Sequence, residues 1–261
     1  MGQFEFQNVV YSSSQRGVGR VRGLPDIDTE FAFVVFDTYM NASDTVKFWA
    51  KPFFEVMLNK KLFREAGLAG DNTTTWGSNR YLRLLFDGDY TSSATALWVS
   101  GTSPSAPQYF TIDLGTVIPV SRFVLFIRSD APYYYNQFTP EKFKVYGTDE
   151  LTHPANDVYF SDGSWKADWM DLTPEMENEG TEDQGIFVLK KPSGGAVGSA
   201  LTEEDAAALE DGFEFTLETF DIPPVRYLRF EVIKTFSNSL AMEAREIDIF
   251  GGKSDDEGEE E

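Results

Sequence analysis

The sequence contains no cysteine and a single histidine among its 261 residues. Without cysteine the chain can form no disulfide, no thiolate metal site and no cysteine nucleophile. Serine–histidine catalysis would depend on His153 alone, which lies in a polar loop directly before Pro154, and no G-x-S-x-G nucleophile motif is present. Nucleophilic catalysis is therefore disfavoured.

Basic residues are few, because 22 Lys and Arg stand against 43 Asp and Glu, a formal net charge of −21. Nucleic acid is not an expected partner, since neutralising phosphates requires clustered Lys and Arg. No apolar run reaches the ~18 residues of a membrane span, so no membrane insertion is expected. The segment Met1–Arg20 lacks the apolar core of a signal peptide, so a signal for export is expected outside this sequence.

Aromatic residues are abundant and make up 15% of the chain. They bury large areas and favour strands. Tyr109–Leu114 and Lys142–Tyr146 alternate apolar and polar residues, and Ser121–Arg128 is almost continuously apolar, so all three segments are expected to be β-strands. Predicted helices are short, and the connections differ greatly in length. The pattern predicts an all-β protein with an antiparallel jelly-roll sandwich.

Strand and turn signals divide the chain into four parts. Residues 1–57 contain too few short strands for a complete immunoglobulin-like domain and predict a small or partial sandwich of that type. Residues 58–79 are expected to be a linker with a short helix, Lys60–Ala66. Residues 80–252 are expected to form the main sandwich, and the acidic tail 253–261 is expected to be disordered.

Aromatic side chains in predicted loops are the candidate ligand-binding residues. Flat rings pack against the C–H faces of sugars, while Arg and Asn beside the ring bond to the hydroxyls. Three consecutive tyrosines cannot all face a core, although any single ring has the alternative of packing at the edge of the sandwich. The candidates are Trp98, Arg128, Tyr133, Tyr134, Tyr135, Asn136, Phe236 and Asn238.

The turn Asp87-Gly88-Asp89, followed by Thr91, presents oxygen ligands at a spacing that can surround Ca²⁺. An ordinary polar turn explains the same residues, so local sequence leaves both interpretations open.

From about Arg80 to Gly251 the chain resembles the discoidin, or coagulation-factor type C, superfamily with its galactose-binding-like sandwich. Three stretches carry the resemblance: FDGDYT with the downstream Trp98, YFTIDLG followed by SRFVLFIR, and RYLRFEV with the closing EAREIDIFG. The chain looks most like a subgroup found in multidomain surface proteins of glycan-foraging Gram-negative bacteria. In that subgroup the segments DGSW and KPSG and a preceding β-sandwich domain recur.

The resemblance implies a structural Ca²⁺ beside the first turn, with Asp87, Asp89, Thr91 and Glu246 as ligands and no organic cofactor. It also implies non-catalytic glycan binding by a chain that is exported to the cell surface or periplasm and works with other proteins of a glycan-uptake system. The alternatives are a protein-adhesion or scaffold domain and a glycoside hydrolase, which would need only two carboxyl groups.

Overall fold

The computed structural model describes Leu24 and residues 27–52, 55–91, 97–218 and 223–252. The chain divides into two compact units, Met1–Phe54 and Glu55–Glu261, each of which is described by itself. The strands expected within residues 1–23 and the tail 253–261 lie outside the described residues. In the part that is described, no helix is long and apolar enough to cross a membrane.

The first unit contains an antiparallel hairpin of β1 (Thr29–Phe33) and β2 (Val46–Ala50). Phe31 and Phe33 both stack on Phe48 across the hairpin, with ring centroids 5.7 and 5.2 Å apart. Such cross-strand aromatic pairs stabilise a two-stranded ribbon. The hairpin is the described portion of the predicted companion domain.

The second unit is built from short and long strands with little helix. Within the described residues it contains one α-helix, α1 (Glu203–Asp211), and 3-10 turns at Lys60–Leu62, Leu82–Phe86, Val158–Phe160 and Ser164–Ala167. Its strands are β3 (Val56–Met57), β4 (Arg64–Glu65), β5 (Trp98–Val99), β6 (Gln108–Ile118), β7 (Val120–Phe126), β8 (Pro140–Thr148), β9 (Met170–Asp171), β10 (Phe187–Val188), β11 (Phe213–Thr216), β12 (Val225–Thr235), β13 (Glu243–Ala244) and β14 (Glu246–Gly251).

These strands form two main sheets. One has the order β10-β8-β12-β6-β4, with β9 paired to β8, and the other has the order β11-β7-β14-β3. The strands β5 and β13 pair with each other separately. All of these pairs are antiparallel. The predicted all-β, antiparallel sandwich is confirmed.

The core lies between the sheets and is rich in phenylalanine. On β6 the alternating residues Phe110, Ile112 and Leu114 are buried, as the sequence pattern predicts. Phe110 stacks on Phe230 of β12 at 4.6 Å, and Phe123 of β7 meets Phe230 edge-on at 5.4 Å. Each fully buried ring of this kind contributes roughly 1.5–3 kcal/mol.

Residues 55–65 complete both sheets, because β3 pairs with β14 and β4 pairs with β6. The helix predicted for Lys60–Ala66 is a single 3-10 turn that begins after the Asn59 cap, since the extended backbone of Phe63 leads directly into β4. Phe63 is also buried in the core. The segment 58–79, predicted to be a linker, therefore packs as part of the sandwich.

A second cluster of aromatic residues covers the outer face of the larger sheet. Trp165 lies in the 3-10 turn Ser164–Ala167, which is followed by β9. The buried guanidinium of Arg229 on β12 lies 4.5 Å from the ring centroid of Trp165 and 4.9 Å from that of Tyr109. Its Nη2 lies 2.9 Å from Oδ1 of Asp71. This pair anchors the loops around Asp71 and Trp165 to the sheet.

Candidate functional site

Two of the predicted sugar-binding rings belong to the core. Trp98 and Tyr135 are each only 1% exposed. Trp98 lies in β5, which pairs with Ala244 of β13, and its ring packs 4.8 Å from Phe110. The hydroxyl of Tyr135 donates a hydrogen bond to the carbonyl of Asp205 at 3.0 Å. Neither ring can stack on a ligand, which corrects the sequence prediction for both residues.

Three other candidate ligand-binding residues have structural roles. Tyr134 and Phe236 are partly buried and pack against the core. The side chain of Asn136 accepts a hydrogen bond from the N–H of Gln137 at 2.7 Å, so it stabilises its own loop. Asn238 is exposed with φ 55°, a conformation that Asn tolerates better than most residues. Of these four, only Asn238 is fully accessible to a ligand.

Arg128 and Tyr133 do come together, as expected. The guanidinium of Arg128 lies 3.8 Å from the ring centroid of Tyr133. The same guanidinium holds Asp130 in a two-point contact, with Nε at 2.6 Å and Nη2 at 2.9 Å from the two carboxyl oxygens. Its Nη1 lies 3.4 Å from Oε2 of Glu243. Arg128 is therefore fixed in one orientation at the surface end of β7.

Two polar atoms beside Arg128 lack partners. Oε1 of Glu243 and Nη1 of Arg80 are buried and make no hydrogen bond within the described residues. Arg80 lies within electrostatic range of Arg128, Asp130 and Glu243. These four residues, Arg80, Arg128, Asp130 and Glu243, are called the polar cluster below. Buried polar atoms are usually satisfied, and the described residues offer these two atoms no partner.

An accessible aromatic pair lies beside the polar cluster. Trp76 is 54% exposed, and its ring lies 5.2 Å from that of Phe138. The N–H of Glu243 donates to the carbonyl of Phe138 at 3.0 Å, which ties this pair to the cluster. Trp76, Tyr133 and Phe138 are called the aromatic rim. A large exposed indole beside charged side chains offers a flat apolar face and polar groups to a ligand.

Backbone pairing positions these side chains. The N–H of Trp76 donates to the carbonyl of Val99 at 3.0 Å, and the N–H of Val99 donates to the carbonyl of Arg80 at 3.3 Å. Val99 in turn lies opposite Glu243 in the β5–β13 pair. Short runs of backbone hydrogen bonds thus bring Trp76 and Arg80 together with Glu243, although Glu243 lies far from them in sequence. Nearby, Tyr135 has a positive φ of 48°, which is strained for an aromatic residue and is often found at functional loops.

The electrostatics of the polar cluster follow from burial. Burial raises the pKa of Glu243 to about 7, although Arg128 opposes the shift. Burial and the neighbouring charge of Arg128 lower the pKa of Arg80. Arg128 is buried too, but its bonds to Asp130 and Glu243 outweigh burial and raise its pKa. Near neutral pH, Glu243 can thus act as a hydrogen-bond donor or acceptor.

The predicted calcium ligands are divided between two environments. Asp87, Asp89 and Thr91 are exposed, and Glu246 is fully buried. Oδ1 of Asp87 accepts from the N–H of Asp89, and Oδ1 of Asp89 accepts from the N–H of Thr91, each at 2.9 Å. In the part of the chain that is described, no three acidic or histidine side chains are grouped so that they could hold a metal ion. The structure thus separates the exposed turn residues from the buried Glu246.

Several residues of the site were missed by the sequence prediction. Trp76 and Arg80 lie on either side of the boundary expected between the linker and the main sandwich. Glu243 lies in the segment EAREIDIFG, one of the stretches that carry the family resemblance. The exposed Trp76 in the polar loop GDNTTTWGSN was the one available signal. Asp130 follows Arg128 by two residues, but its role depends on how that loop turns back on itself.

The two antiparallel sheets and the loop cluster define a β-sandwich protein with a candidate binding site in its loops. Residues 86–251, more than half of the chain, match the family DUF5000, which is described as a domain of unknown function, and the chain belongs to this family. Residues 2–61 match a second family, DUF5126, also described as a domain of unknown function. No curated protein matches the chain.

Among solved structures, the chain is similar to a SusE-like protein, with 28% identity and a TM-score of 0.65 over 91% of this chain and 82% of that chain. It also matches the third family 32 carbohydrate-binding module of a family 31 glycoside hydrolase from Clostridium perfringens, with 17% identity and a TM-score of 0.46 over 76% and 95% of the two chains. A family 32 module of NanJ from the same organism, in complex with galactose, gives 12% identity and a TM-score of 0.45 over 76% and 99%. The chain thus shares its fold with the SusE-like protein.

Proposed function

We propose that this chain is a non-catalytic carbohydrate-binding protein whose site consists of the polar cluster and the aromatic rim. One observation carries the proposal: the exposed Trp76 lies beside the polar cluster, in which the side chain of Asp130 is 34% exposed. A ligand can therefore contact an aromatic face and a charged group of the cluster at the same time.

The charges of the cluster favour a neutral ligand rich in hydroxyl groups. The two guanidinium groups of Arg80 and Arg128 are balanced by the carboxyl groups of Asp130 and Glu243, so the cluster carries no net charge when all four ionise. Sugar hydroxyls both donate and accept hydrogen bonds, so one sugar can donate to Asp130 and accept from Arg128. The face of Trp76 provides the apolar surface for the C–H side of the ring.

Catalysis is not part of this proposal. A glycosidase uses two carboxyl groups on either side of the scissile bond. Both oxygens of Asp130 are bonded to Arg128, which leaves Glu243 as the one acid of the cluster with an unpaired oxygen. A single buried acid without a base or nucleophile opposite it does not complete this mechanism.

The similarity to a SusE-like protein supports a role in glycan capture by bacteria. In this proposal the chain is exported to the cell surface or periplasm, where it transfers the bound glycan to other proteins of an uptake system. The aromatic rim would hold a polysaccharide by stacking, and the polar cluster would select the hydroxyl pattern.

A glycan-array screen of the full chain, followed by calorimetric titration with the retained sugars, tests the proposal. We expect a neutral glycan to bind, and we expect Arg128→Met to weaken that binding about tenfold, because it removes the guanidinium that orients Asp130 and packs on Tyr133. Tyr39→Ala is the matched control, because Tyr39 is 84% exposed and belongs to the first unit. Retention of no glycan, sugar-independent capture of a protein, or release of reducing sugar would each argue for a different function.

A further inference from the structure

The ammonium group of Lys60 is held by three groups of the sandwich. Its Nζ lies 3.0 Å from Oε1 of Glu246, pairs with Oδ1 of Asp248 and donates to the hydroxyl of Tyr90 at 3.0 Å. The Lys60 side chain is only 12% exposed, and that of Glu246 is fully buried. An ammonium has three N–H donors, so this arrangement uses all of them. Burial opposes the charge, but the bonds to these three groups outweigh it and raise the pKa of Lys60.

Glu246 connects this ion pair to the turn Asp87-Gly88-Asp89. Its Oε2 accepts a hydrogen bond from the N–H of Gly88 at 2.6 Å, and its Oε1 also accepts from the N–H of Ile247 at 3.0 Å. Gly88 has φ 83°, which favours glycine and aims its N–H inward while the flanking carboxyl groups face solvent. The turn is thus attached to β14 through a buried carboxylate.

The divalent cation implied by the family resemblance does not fit here. It would need Glu246 as a ligand, but the ammonium of Lys60 already lies at hydrogen-bond distance from Oε1. A second cation at that oxygen would be repelled by the first, most strongly where water is excluded. The remaining oxygen is bonded to Gly88.

We propose that Lys60 supplies an internal cation that does the work of a bound metal: it neutralises Glu246 and Asp248 and keeps Glu246 in place to hold the turn. Position 60 lies outside residues 86–251, which match DUF5000, and inside residues 2–61, which match DUF5126. The sandwich therefore depends on a charged residue that precedes the part of the chain matched by DUF5000. In this proposal it folds without a divalent cation.

Thermal unfolding of the full chain tests this inference, with the wild type, Lys60→Met and Lys61→Met measured in EDTA and in CaCl₂. We expect the Tm of the wild type to be the same in both solutions. Lys60→Met should lower the Tm by about 5–10 °C, because it leaves two buried carboxylates without a counter-charge. Lys61→Met is the matched control, since Lys61 is the exposed neighbour with the same side chain.

The double variant Lys60→Met/Glu246→Gln covers the case in which Lys60→Met does not fold. We expect the double variant to fold and to melt above Lys60→Met, since the uncompensated charge is removed with its partner. A wild-type Tm that falls on chelation or rises with CaCl₂ would overturn the inference. So would a Lys60→Met variant that melts with the wild type, or a double variant less stable than Lys60→Met.

Discussion

Glu243 pairs with Arg128 through only one of its two carboxyl oxygens: Oε2 lies 3.4 Å from Nη1 of Arg128, while Oε1 has no partner within the described part of the chain. A buried carboxyl group normally has every lone pair engaged, because desolvation without compensation is costly. Strands β5 and β13 hold Glu243 in this position. The half-paired acid is fully buried, so its effect on a ligand would be transmitted through the guanidinium that it orients, that of Arg128.

The free energy of unfolding should depend on pH through Glu243. Its folded pKa of about 7 lies above the value of 4.5 for an exposed Glu, because burial outweighs the attraction of Arg128 and because Asp130 adds repulsion. Between these values the folded chain holds a proton that the unfolded chain has released. The free energy of unfolding therefore falls as pH rises through this window, by on the order of 2–3 kcal/mol.

Urea unfolding near pH 5 and near pH 8 measures this effect in the wild type and in Glu243→Gln. Glutamine keeps the shape but does not titrate, so the loss of stability at the higher pH should be smaller in the variant. All other titrating groups are common to both proteins, including Glu246, whose pKa burial also raises to about 7. An identical pH dependence in the two proteins would show that Glu243 is not the group responsible.

The ion pair of Arg229 and Asp71 should be costly to break on one side. Both side chains are almost completely buried, and burial raises the pKa of Asp71 although Arg229 opposes the shift. We expect Asp71→Asn to destabilise the chain by about 3–5 kcal/mol, because a buried guanidinium loses its counter-charge. In a double-mutant cycle measured by denaturant unfolding, Arg229→Met combined with Asp71→Asn should cost less than the sum of the single changes. Additive costs would mean that the two groups do not interact.

Tyr135 should contribute to stability and not to glycan binding. Tyr135→Phe removes the hydrogen bond to the carbonyl of Asp205 and leaves the ring in the core, so we expect a loss of about 1 kcal/mol. The affinity for a glycan should match that of the wild type. A loss of affinity with unchanged stability would place the Tyr135 hydroxyl in the site after all.

The local pattern of apolar and polar residues was sufficient to predict the sandwich fold. Alternation along β6 places Phe110 and Ile112 on one face because side chains alternate along any strand, and the near-continuous apolar run of β7 follows from its place between β11 and β14. The acidic turn was also recognisable, because Gly88 permits the reversal.

The site was less accessible to sequence reasoning, because distant segments decide which rings are buried. Trp98 is covered because β5 pairs with β13, more than a hundred residues later in the chain, and Tyr135 is covered by contacts with α1 and its neighbours. Trp76 remains exposed although its ring contacts the half-buried Phe138. The family resemblance implied a bound Ca²⁺ beside the turn Asp87-Gly88-Asp89. The cation that we propose for this role is the ammonium of Lys60, which lies in the segment 58–79 that was predicted to be a linker. None of these pairings leaves a periodic signal in the sequence.

The most direct test of the carbohydrate-binding claim compares the affinity of Trp76→Ala with that of the wild type for the glycan selected on the array. Trp76 is 54% exposed, so its removal should leave the Tm unchanged, with Tyr39→Ala as the matched surface control. We predict a loss of affinity of about tenfold or more by calorimetric titration, the effect expected for removing a stacking ring at the centre of a site. Equal affinities of the Trp76→Ala variant and the wild type would contradict the proposed site.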